Sequence, residues 1–519
     1  MTQPTQAPQT VHTEVLVLGS GAGGLSAAVT AAHLGRSVIV AEKAPRLGGT
    51  TAWSGGWMWI PRNPLAREAG VHEDPQAAWS YLQHELGDRF DAPRVAALLN
   101  HGPAMVDFFR RHTALQFVDG NAIPDFHGHS PHAGVGGRSM CAAPFDGKRL
   151  GADLQRIEPP LPPNTVWGMG IAAGSDLRHF LNALRSWASF VHVSRRIARH
   201  VVDCLWHGQG THMVNGHALV GGLVKSALDA GVQLWTQHAG LSLLTESANG
   251  HTRVVGATLQ GPHGRVTVRA SHGVVLACGG FPRDAQRLSA LVPHAPTGQE
   301  HHSAGFTHNT GDGLRLGESV GATVSHGLVQ VLALAPVSLV PKAGGGFHHF
   351  PHLIERAKPG LIAVTAQGQR FTNEANAYHD VMQDLLRATP AGAHEAWLVA
   401  DHRFVRRYGL GAVKPFPFAI SPWLAKGYLR RGHSLQALAQ QCGIDAPALQ
   451  ATVDRFNAQV ERGIDPDFGK GETPYNRIQG DADWAKAQGW TNPCMGRIDQ
   501  GPFYARSSWA AWAALPACA

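Results

Sequence analysis

Gly19, Gly21 and Gly24 stand in the spacing G-x-G-x-x-G, with Ser20, Ala22 and Gly23 between them, and a carboxylate, Glu42, follows eighteen residues after the last glycine. This set can bind a dinucleotide. Gly19 permits a tight turn, Gly21 lets the backbone approach a pyrophosphate, and Gly24 allows a helix to pack closely on a strand. The helix N-terminus offers partial positive charge to the anion, and Glu42 can accept from both hydroxyls of a ribose. A glycine-rich loop without a ligand is the alternative. The flanking residues supply the elements the motif requires. Thr13 to Leu18 is apolar and β-branched and reads as a strand. Leu25 to Leu34 is alanine-rich with helical spacing, and Gly35 ends it as a C-cap glycine would. Ser37 to Ala41 reads as a second strand, closing on Glu42 and completing a βαβ unit.

A second small-residue block decides which dinucleotide. After Lys43 come Gly48-Gly49-Thr50-Thr51 and Ser54-Gly55-Gly56. A simple nicotinamide domain has no need of another glycine-rich loop directly after the ribose carboxylate. A flavin does, because its ribityl chain and ring must pass close to backbone. FAD is therefore the expected cofactor, with NAD as competitor and a structural turn as the bland reading of the block. Val274 to Ala277 reads as a buried strand running into Cys278-Gly279-Gly280, and Thr310-Gly311-Asp312-Gly313 precedes a helix over Gly311 to Val320. Ala277, Gly279 and Asp312 join the expected cofactor-binding set, although Asp312 alone could be a helix cap.

Length and composition bound the rest. A chain of 519 residues is too long for one core and implies two or three domains. Hydrophobic content of 44% with 16% charged residues is that of a globular protein. No stretch reaches the ~20 apolar residues of a membrane span. Met1 to His12 lacks a basic-then-apolar signal pattern and reads as a frayed tail, so a cytoplasmic protein is expected. The net charge of +7 suits an anionic cofactor. Lysines and arginines are scattered without an aromatic-interleaved stripe, which argues against nucleic acid. Six cysteines without C-x-x-C argue against zinc, iron–sulfur clusters and a disulfide framework. The 31 histidines lack ligand spacing, so no metal is expected and most are read as surface or packing residues.

Helices are expected at Pro75–Leu86, Pro93 to Arg111, His217 to Ala230, Ser434 to Cys442 and Ala446–Arg462, and strands at Val232 to Trp235, Arg253 to Leu259 and Arg265 to Ala270. The pattern changes beyond about residue 335, with Pro-rich loops from Lys414 to Pro422.

The segments GSGAGGLSAA, EKAPRLGGTTAWSGG, VVLACGGF, NTGDGLRL and GQRFTNEANAYHD occur in that order. Together they resemble the fumarate reductase/succinate dehydrogenase flavoprotein superfamily. The block GGTTAWSGGWMWIPRN is especially similar to its 3-ketosteroid dehydrogenase-like branch. The resemblance implies an α/β fold: a Rossmann-like FAD-binding domain of glutathione-reductase type, interrupted by an α+β capping or catalytic domain. The FAD domain is expected over 13–335, completed by 483–519, with the cap over 336–482 and a disordered tail over 1–12.

The resemblance also separates two chemistries. Where fumarate reductases carry a proton-donating arginine, eight residues on from Arg370, this chain has Tyr378. Steroid dehydrogenases of the family have a tyrosine there that removes a proton. The implied function is α,β-desaturation of a ketone, with hydride passing to flavin N5. The implied partners are an apolar ketone or steroid-like substrate and an external electron acceptor. Such a base is expected to be a phenol whose pKa is lowered by neighbours. Alternatively Tyr378 packs with a satisfied hydroxyl. The alternative functions are reduction of an unsaturated carboxylate, as in fumarate reductases, or an inactive remnant. A second family tyrosine corresponds to Phe126, which cannot relay a proton; His127 or His379 could substitute. Arg138 and Asp146 match a family segment without a derivable role.

After Pro502-Phe503-Tyr504-Ala505 the family continues with Val-Lys and a glycine-rich strand, whereas this chain runs Arg506 to Ala519. With freely chosen codons, that tail read from the third base gives VKLGSLGSLAGLR. The sequence therefore carries the expectation of a one-base slip after Ala505 and a truncated FAD domain.

Overall fold

The computed structural model describes residues 9–512, apart from 173, 249–250, 326–327, 329 and 391–393. Residues 1–8 of the expected tail and 513–519 of the divergent end lie outside the described residues.

The first sheet has six strands in the order Gln233–Trp235, Val38–Ala41, Gln9–Leu18, Gly264–Leu276, His251–Gly261 and Ala239–Ala248. The first four run parallel and the last two form antiparallel pairs. Alternate residues of its central strands face opposite cores. Val17, Val38 and Val40 join Leu25, Ala28 and Val29 of the helix Ala22–His33, and Val220 and Val224 of the helix Asn215–Asp229. Leu16, Leu18, Ile39 and Ala41 join Ala257, Leu259 and Val268 on the other side. Burial on both faces explains why these strands read as continuous apolar runs.

The second sheet has seven strands built around Phe503–Trp512, which pairs with Glu395–Ala400, Ala335–Pro341, Arg430–Gly432 and His302–Ser303. Leu361–Val364 and Phe347–Pro351 complete it. On one face Ile362, Val364, Val399 and Ala505 pack against Leu438, Leu449, Val453 and Phe456, which come from the helices Leu435–Cys442 and Ala446–Arg462. On the other, Leu361, Leu398 and Tyr504 pack with Phe404 and Tyr428.

Two expectations are corrected. The first strand begins at Gln9, not Thr13, because Gln9 to Thr13 pair in register with Val266 to Ala270. The segment expected to return to the FAD domain, 483–519, instead serves the second sheet up to residue 512. Met495, Ile498 and Ala505 lie in its core with Trp490 packed against it, and Arg506 donates to the backbone carbonyls of Tyr428 and Leu339. Tyr504 and Ala505 face opposite cores, which is the signature of a central strand.

Ser434 and Asp445 cap the two helices expected beside them. The 21-residue helix Trp187–His207 occupies a stretch for which the sequence had suggested no element. No helix among the described residues is long and apolar enough to cross a membrane.

Candidate active site

The chain leaves the first strand at Leu18 and enters the helix Ala22–His33 through Gly19, whose φ is +105°. A Cβ on Gly19 would lie 2.2 Å from the Ala277 carbonyl oxygen, and one on Gly24 would lie 2.0 Å from the Gly19 carbonyl oxygen. Internal packing therefore demands both glycines, and Ala277 is the wall against which Gly19 sits. Gly21 and Gly23 differ. A Cβ on Gly21 would meet only Thr51 Oγ1, at 3.4 Å, and one on Gly23 would meet nothing within 4 Å. The protein does not need glycine at either place for its own packing, so their bareness leaves the helix start open. An open helix N-terminus suits a pyrophosphate, and on this ground the residues fit the phosphate end of FAD.

Glu42 is buried, 22 residues beyond Ser20, and fixes the turn. Its Oε2 accepts from the Ser20 amide at 3.0 Å and the Ser20 hydroxyl at 2.7 Å, and its Oε1 accepts from the Ala44 amide at 2.9 Å. The Ser20 hydroxyl accepts in turn from the Gly48 amide at 3.0 Å. Thr51 Oγ1 accepts from the Ala22 amide at 3.0 Å. Thr50 Oγ1 accepts from the Phe306 amide at 3.0 Å and Asn309 Nδ2 at 2.9 Å. Lys43 donates to Asp312 Oδ2 at 2.6 Å and Thr310 Oγ1 at 2.7 Å. Burial works against ionisation of Asp312, but Lys43 and Arg315 hold its carboxyl below the usual range. Gly311, not Asp312, is the helix cap. Gly279 has φ +75°, and a Cβ there would come 2.8 Å from Asn309 Oδ1. The expected cofactor residues on three separate segments thus converge.

Ser54, Gly55 and Gly56 lie at the edge of this group. A Cβ on Gly56 would come 2.6 Å from the backbone of Asn215, and the Ser54 hydroxyl donates to the Thr51 carbonyl at 2.8 Å. Close packing on the helix Asn215–Asp229 is sufficient reason for the small size of Ser54 and Gly56, whereas a Cβ on Gly55 would meet only the Trp57 side chain, at 3.1 Å. A cavity of about 510 Å³ bordered by Val29, His33, Arg111 and Arg149 lies near the opposite end of the helix Ala22–His33, away from all of these residues.

Tyr378 is the first residue of the helix Tyr378–Ala388 and packs against Ala304, Ala335 and Val337. The segment 303–309 links it to the glycine-rich block, because Phe306 and Asn309 bond Thr50 while Ala304 touches the cluster holding Tyr378. The pKa expectation is corrected. Burial, reinforced by Tyr475, pushes the Tyr378 hydroxyl up to about 12, and only Arg356 pulls it down. Desolvation of the phenolate outweighs the one nearby cation.

The sequence reading missed Arg356 and Tyr475. Arg356 is fully buried and donates to three backbone carbonyls: His352 at 2.6 Å, Glu374 at 2.6 Å and Asn376 at 3.3 Å. Tyr475 is buried, and its ring lies 4.8 Å from that of Phe126. No short-range sequence signal joins these positions.

The loop holding Phe126 is fixed from below. Arg138 is buried, forms ion pairs with Asp125 and with Glu73, and donates to the His132 carbonyl at 3.0 Å. Asp125 also accepts from Trp59 Nε1 at 2.8 Å and the Gly134 amide at 2.8 Å. Asp146 caps a short 3-10 turn through the Lys148 amide. His127 bridges Asp380 and Glu85. Its bond to Asp380 and then that to Glu85 overcome burial and raise it to about 9. His379 Nδ1 accepts from the Leu334 amide at 3.0 Å, and burial lowers its pKa. A His127 held between two carboxylates and a His379 whose Nδ1 already accepts from the Leu334 amide are poorly suited to stand in for a tyrosine proton relay.

A largely parallel sheet ends on an open helix N-terminus that bonded glycine-rich loops link to a partly buried phenol, a site that fits an FAD-dependent oxidoreductase. The chain belongs to the FAD binding domain family, whose model matches residues 14–511. It is 36% identical over 499 residues to 4-oxocyclohex-2-ene-1-carboxylate 5-dehydrogenase of Sinomonas cyclohexanicum, covering 96% of this chain and 82% of that one. It is 34% identical to 3-oxosteroid 1-dehydrogenase of Mycobacterium tuberculosis, covering 95% and 85%. Its fold matches the crystal structure of 3-ketosteroid delta1-dehydrogenase from Sterolibacterium denitrificans in complex with 1,4-androstadiene-3,17-dione, with a TM-score of 0.86, 31% identity, and 96% and 88% of the two chains covered.

Proposed function

We propose that this oxidoreductase acts on a CH–CH bond, desaturating the α,β bond of a cyclic ketone, with Tyr378 as the proton acceptor. The observation that carries the reading is a partly buried phenol at a helix start, packed on an apolar wall joined to the glycine-rich block through 303–309. The names of both curated relatives support it, since each describes dehydrogenation of a ring bearing an oxo group.

In this reading Gly19 to Gly24 receive the pyrophosphate and Glu42 the ribose. Lys43, Gly48 to Thr51, Ser54 to Gly56, Ala277, Gly279 and Asp312 border the rest of the cofactor. When bound, FAD supplies the two-electron acceptor for the hydride leaving the β carbon. Tyr378 takes the α proton as the second C–H bond breaks, so one proton and one hydride leave and one C=C bond forms. Arg356 lowers the cost of the transient phenolate, and so does the positive end of the helix that Tyr378 begins. The apolar neighbours Ala304, Ala335 and Val337 exclude water and suit a steroid-like or other apolar ring. The unit built on the second sheet acts as the cap, and an external acceptor reoxidises the flavin.

The test is reduction of the protein-bound flavin by a 3-oxosteroid or a 4-oxocyclohexane carboxylate under anaerobic conditions. Tyr378→Phe is expected to keep its flavin and lose at least ~10²-fold in the reduction rate, as on removing a general base. A near-parent rate in Tyr378→Phe would reduce the residue to a packing role. Fumarate reduction by a reduced dye, with no response to either ketone, would favour the carboxylate reading.

A further inference from the structure

Arg283 is a half-buried guanidinium that forms no ion pair among the described residues. Its Nη2 donates to the carbonyl oxygens of Ser303 at 2.6 Å and Gly305 at 3.3 Å, and its Nε is buried without a hydrogen-bond partner. The adjacent carboxylate is engaged elsewhere. Asp284 caps the helix Ala285–Leu291 through the Arg287 amide at 3.1 Å and pairs with the Arg287 side chain at 3.4 Å. Burial pulls the pKa of Arg283 down, and no acid opposes the shift. Two imidazoles stand beside it. The rings of His302 and His349 lie 6.1 Å apart with planes at 30°. Burial first and Arg283 next lower both, His349 to about 3, so the two rings are neutral and can offer N–H donors.

This group belongs to the surface on which Tyr378 packs. In the strand Ala335–Pro341, Ala335, Val337 and Leu339 share one face, and Ala335 and Val337 form the wall against Tyr378. Ser338 and Val340 take the other face, where Ser338 bonds Tyr428 at 2.7 Å. His349 is in register with Leu339, so its side chain takes the face of the wall. One strand across and two residues along, it lies roughly 8 Å from Val337, a span that one six-membered ring with a substituent can cover. Arg283 reaches the same wall from the other side, because the two carbonyls it binds flank Ala304, a member of the wall.

We propose that Arg283, with His302 and His349, anchors a carboxylate on the substrate, so that the site takes a ring ketone carrying a carboxylate in preference to a neutral steroid. A cation without a counter-ion, beside neutral donors, favours an anion, and the planar fork of a guanidinium matches a carboxylate. The inference rests on the reading of Tyr378 given above. The anchor would hold the ring against the wall while Tyr378 receives the proton.

The experiment is titration of the intact flavoprotein with cyclohexanecarboxylate, which has no ketone and cannot react, and with cyclohexanecarboxamide, which has the same shape and no charge. Perturbation of the flavin absorbance reports binding. The parent is expected to bind the carboxylate at least ~10-fold more tightly than the amide, as for a hydrogen bond to a charged group. Arg283→Met is expected to remove that preference and Arg283→Lys to restore part of it. His349→Leu, which leaves the bonds to Ser303 and Gly305 intact, is expected to weaken the carboxylate alone. The proposal is overturned if the parent does not prefer the carboxylate, or if His349→Leu and a flavin-loaded Arg283→Met both keep the preference. It is also overturned if Arg283→Met loses flavin while His349→Leu binds the carboxylate as the parent does, since the guanidinium then serves the cofactor. No proton is transferred in these titrations, so their outcome is separate from that of Tyr378→Phe.

Discussion

Phe126 stands edge-on to Tyr378, with ring centroids 5.9 Å apart and planes at 73°, and its other neighbour is Tyr475. The phenyl ring packs on Tyr378 without offering it a hydrogen bond, in keeping with a phenol raised to about 12. Phe126→Tyr adds a hydroxyl to this cluster. A hydrogen bond to the ionised form of Tyr378 lowers its pKa and is worth about 1.5–3 kcal/mol. The expected outcome is a rise of ~10-fold or more in substrate-driven flavin reduction near neutral pH. The limb of the pH–rate profile that rises as Tyr378 ionises moves to lower pH. An unchanged profile would show that the added hydroxyl does not reach Tyr378.

The two kinds of glycine at the helix start separate folding from binding. Gly24→Ala drives a Cβ into the Gly19 carbonyl and is expected to cost at least about 1–3 kcal/mol, seen as a lower melting temperature. Gly21→Ala meets only the Thr51 hydroxyl and is expected to fold as the parent does, yet to carry less FAD. Flavin absorbance per protein, with melting temperature, checks both. Full flavin content in Gly21→Ala would remove the pyrophosphate from that position.

Glu42 holds Ser20 and Ala44 and, in the proposed reading, the ribose as well. Glu42→Gln keeps the shape but gives up the charge and one acceptor oxygen. FAD binding is expected to weaken by about 1.5–3 kcal/mol, the range for a hydrogen bond to a charged group. Titration of the apoprotein with FAD measures it, and equal affinity would sink the ribose assignment.

His127 titrates at about 9 when folded, above its ordinary 6.5, because Asp380 and Glu85 flank it. A raised folded pKa means that its stabilisation is complete below pH 6.5 and is lost as pH rises through about 9. The ring is partly exposed, so solvent screening limits the effect to about 1 kcal/mol. His127→Gln is expected to lower the melting temperature at pH 6 and to leave it near the parent's at pH 10. A pH-independent difference would mean that the ring acts by packing alone.

Much of the nucleotide-binding half was legible in the residue order because its rules are local. A buried parallel strand must be apolar on both sides, a tight turn must be glycine, and a helix opening on an anion must be bare. Leu16 to Gly24 obey all three within nine residues. The carboxylate at 42 follows from the length of one βαβ unit. The convergence of Lys43 with Asp312 spans 269 residues, and the sequence suggested it only as two separate small-residue sites.

Tertiary structure alone decided what depends on distant partners. Tyr475 and Arg356 reach Tyr378 through folding of the second unit, and the balance between burial and one cation sets the phenol's pKa upward, opposite to expectation. The strand Phe503–Trp512 went to the second sheet because both of its faces found cores there, which a strand's own residues cannot announce. The helix Trp187–His207 makes the same point most sharply. A 3.6-residue period can reveal that a helix has an apolar stripe, but not which way the stripe turns. Only the bonds of Arg196, His192 and Asp203 to the body of the protein determine that it faces outward.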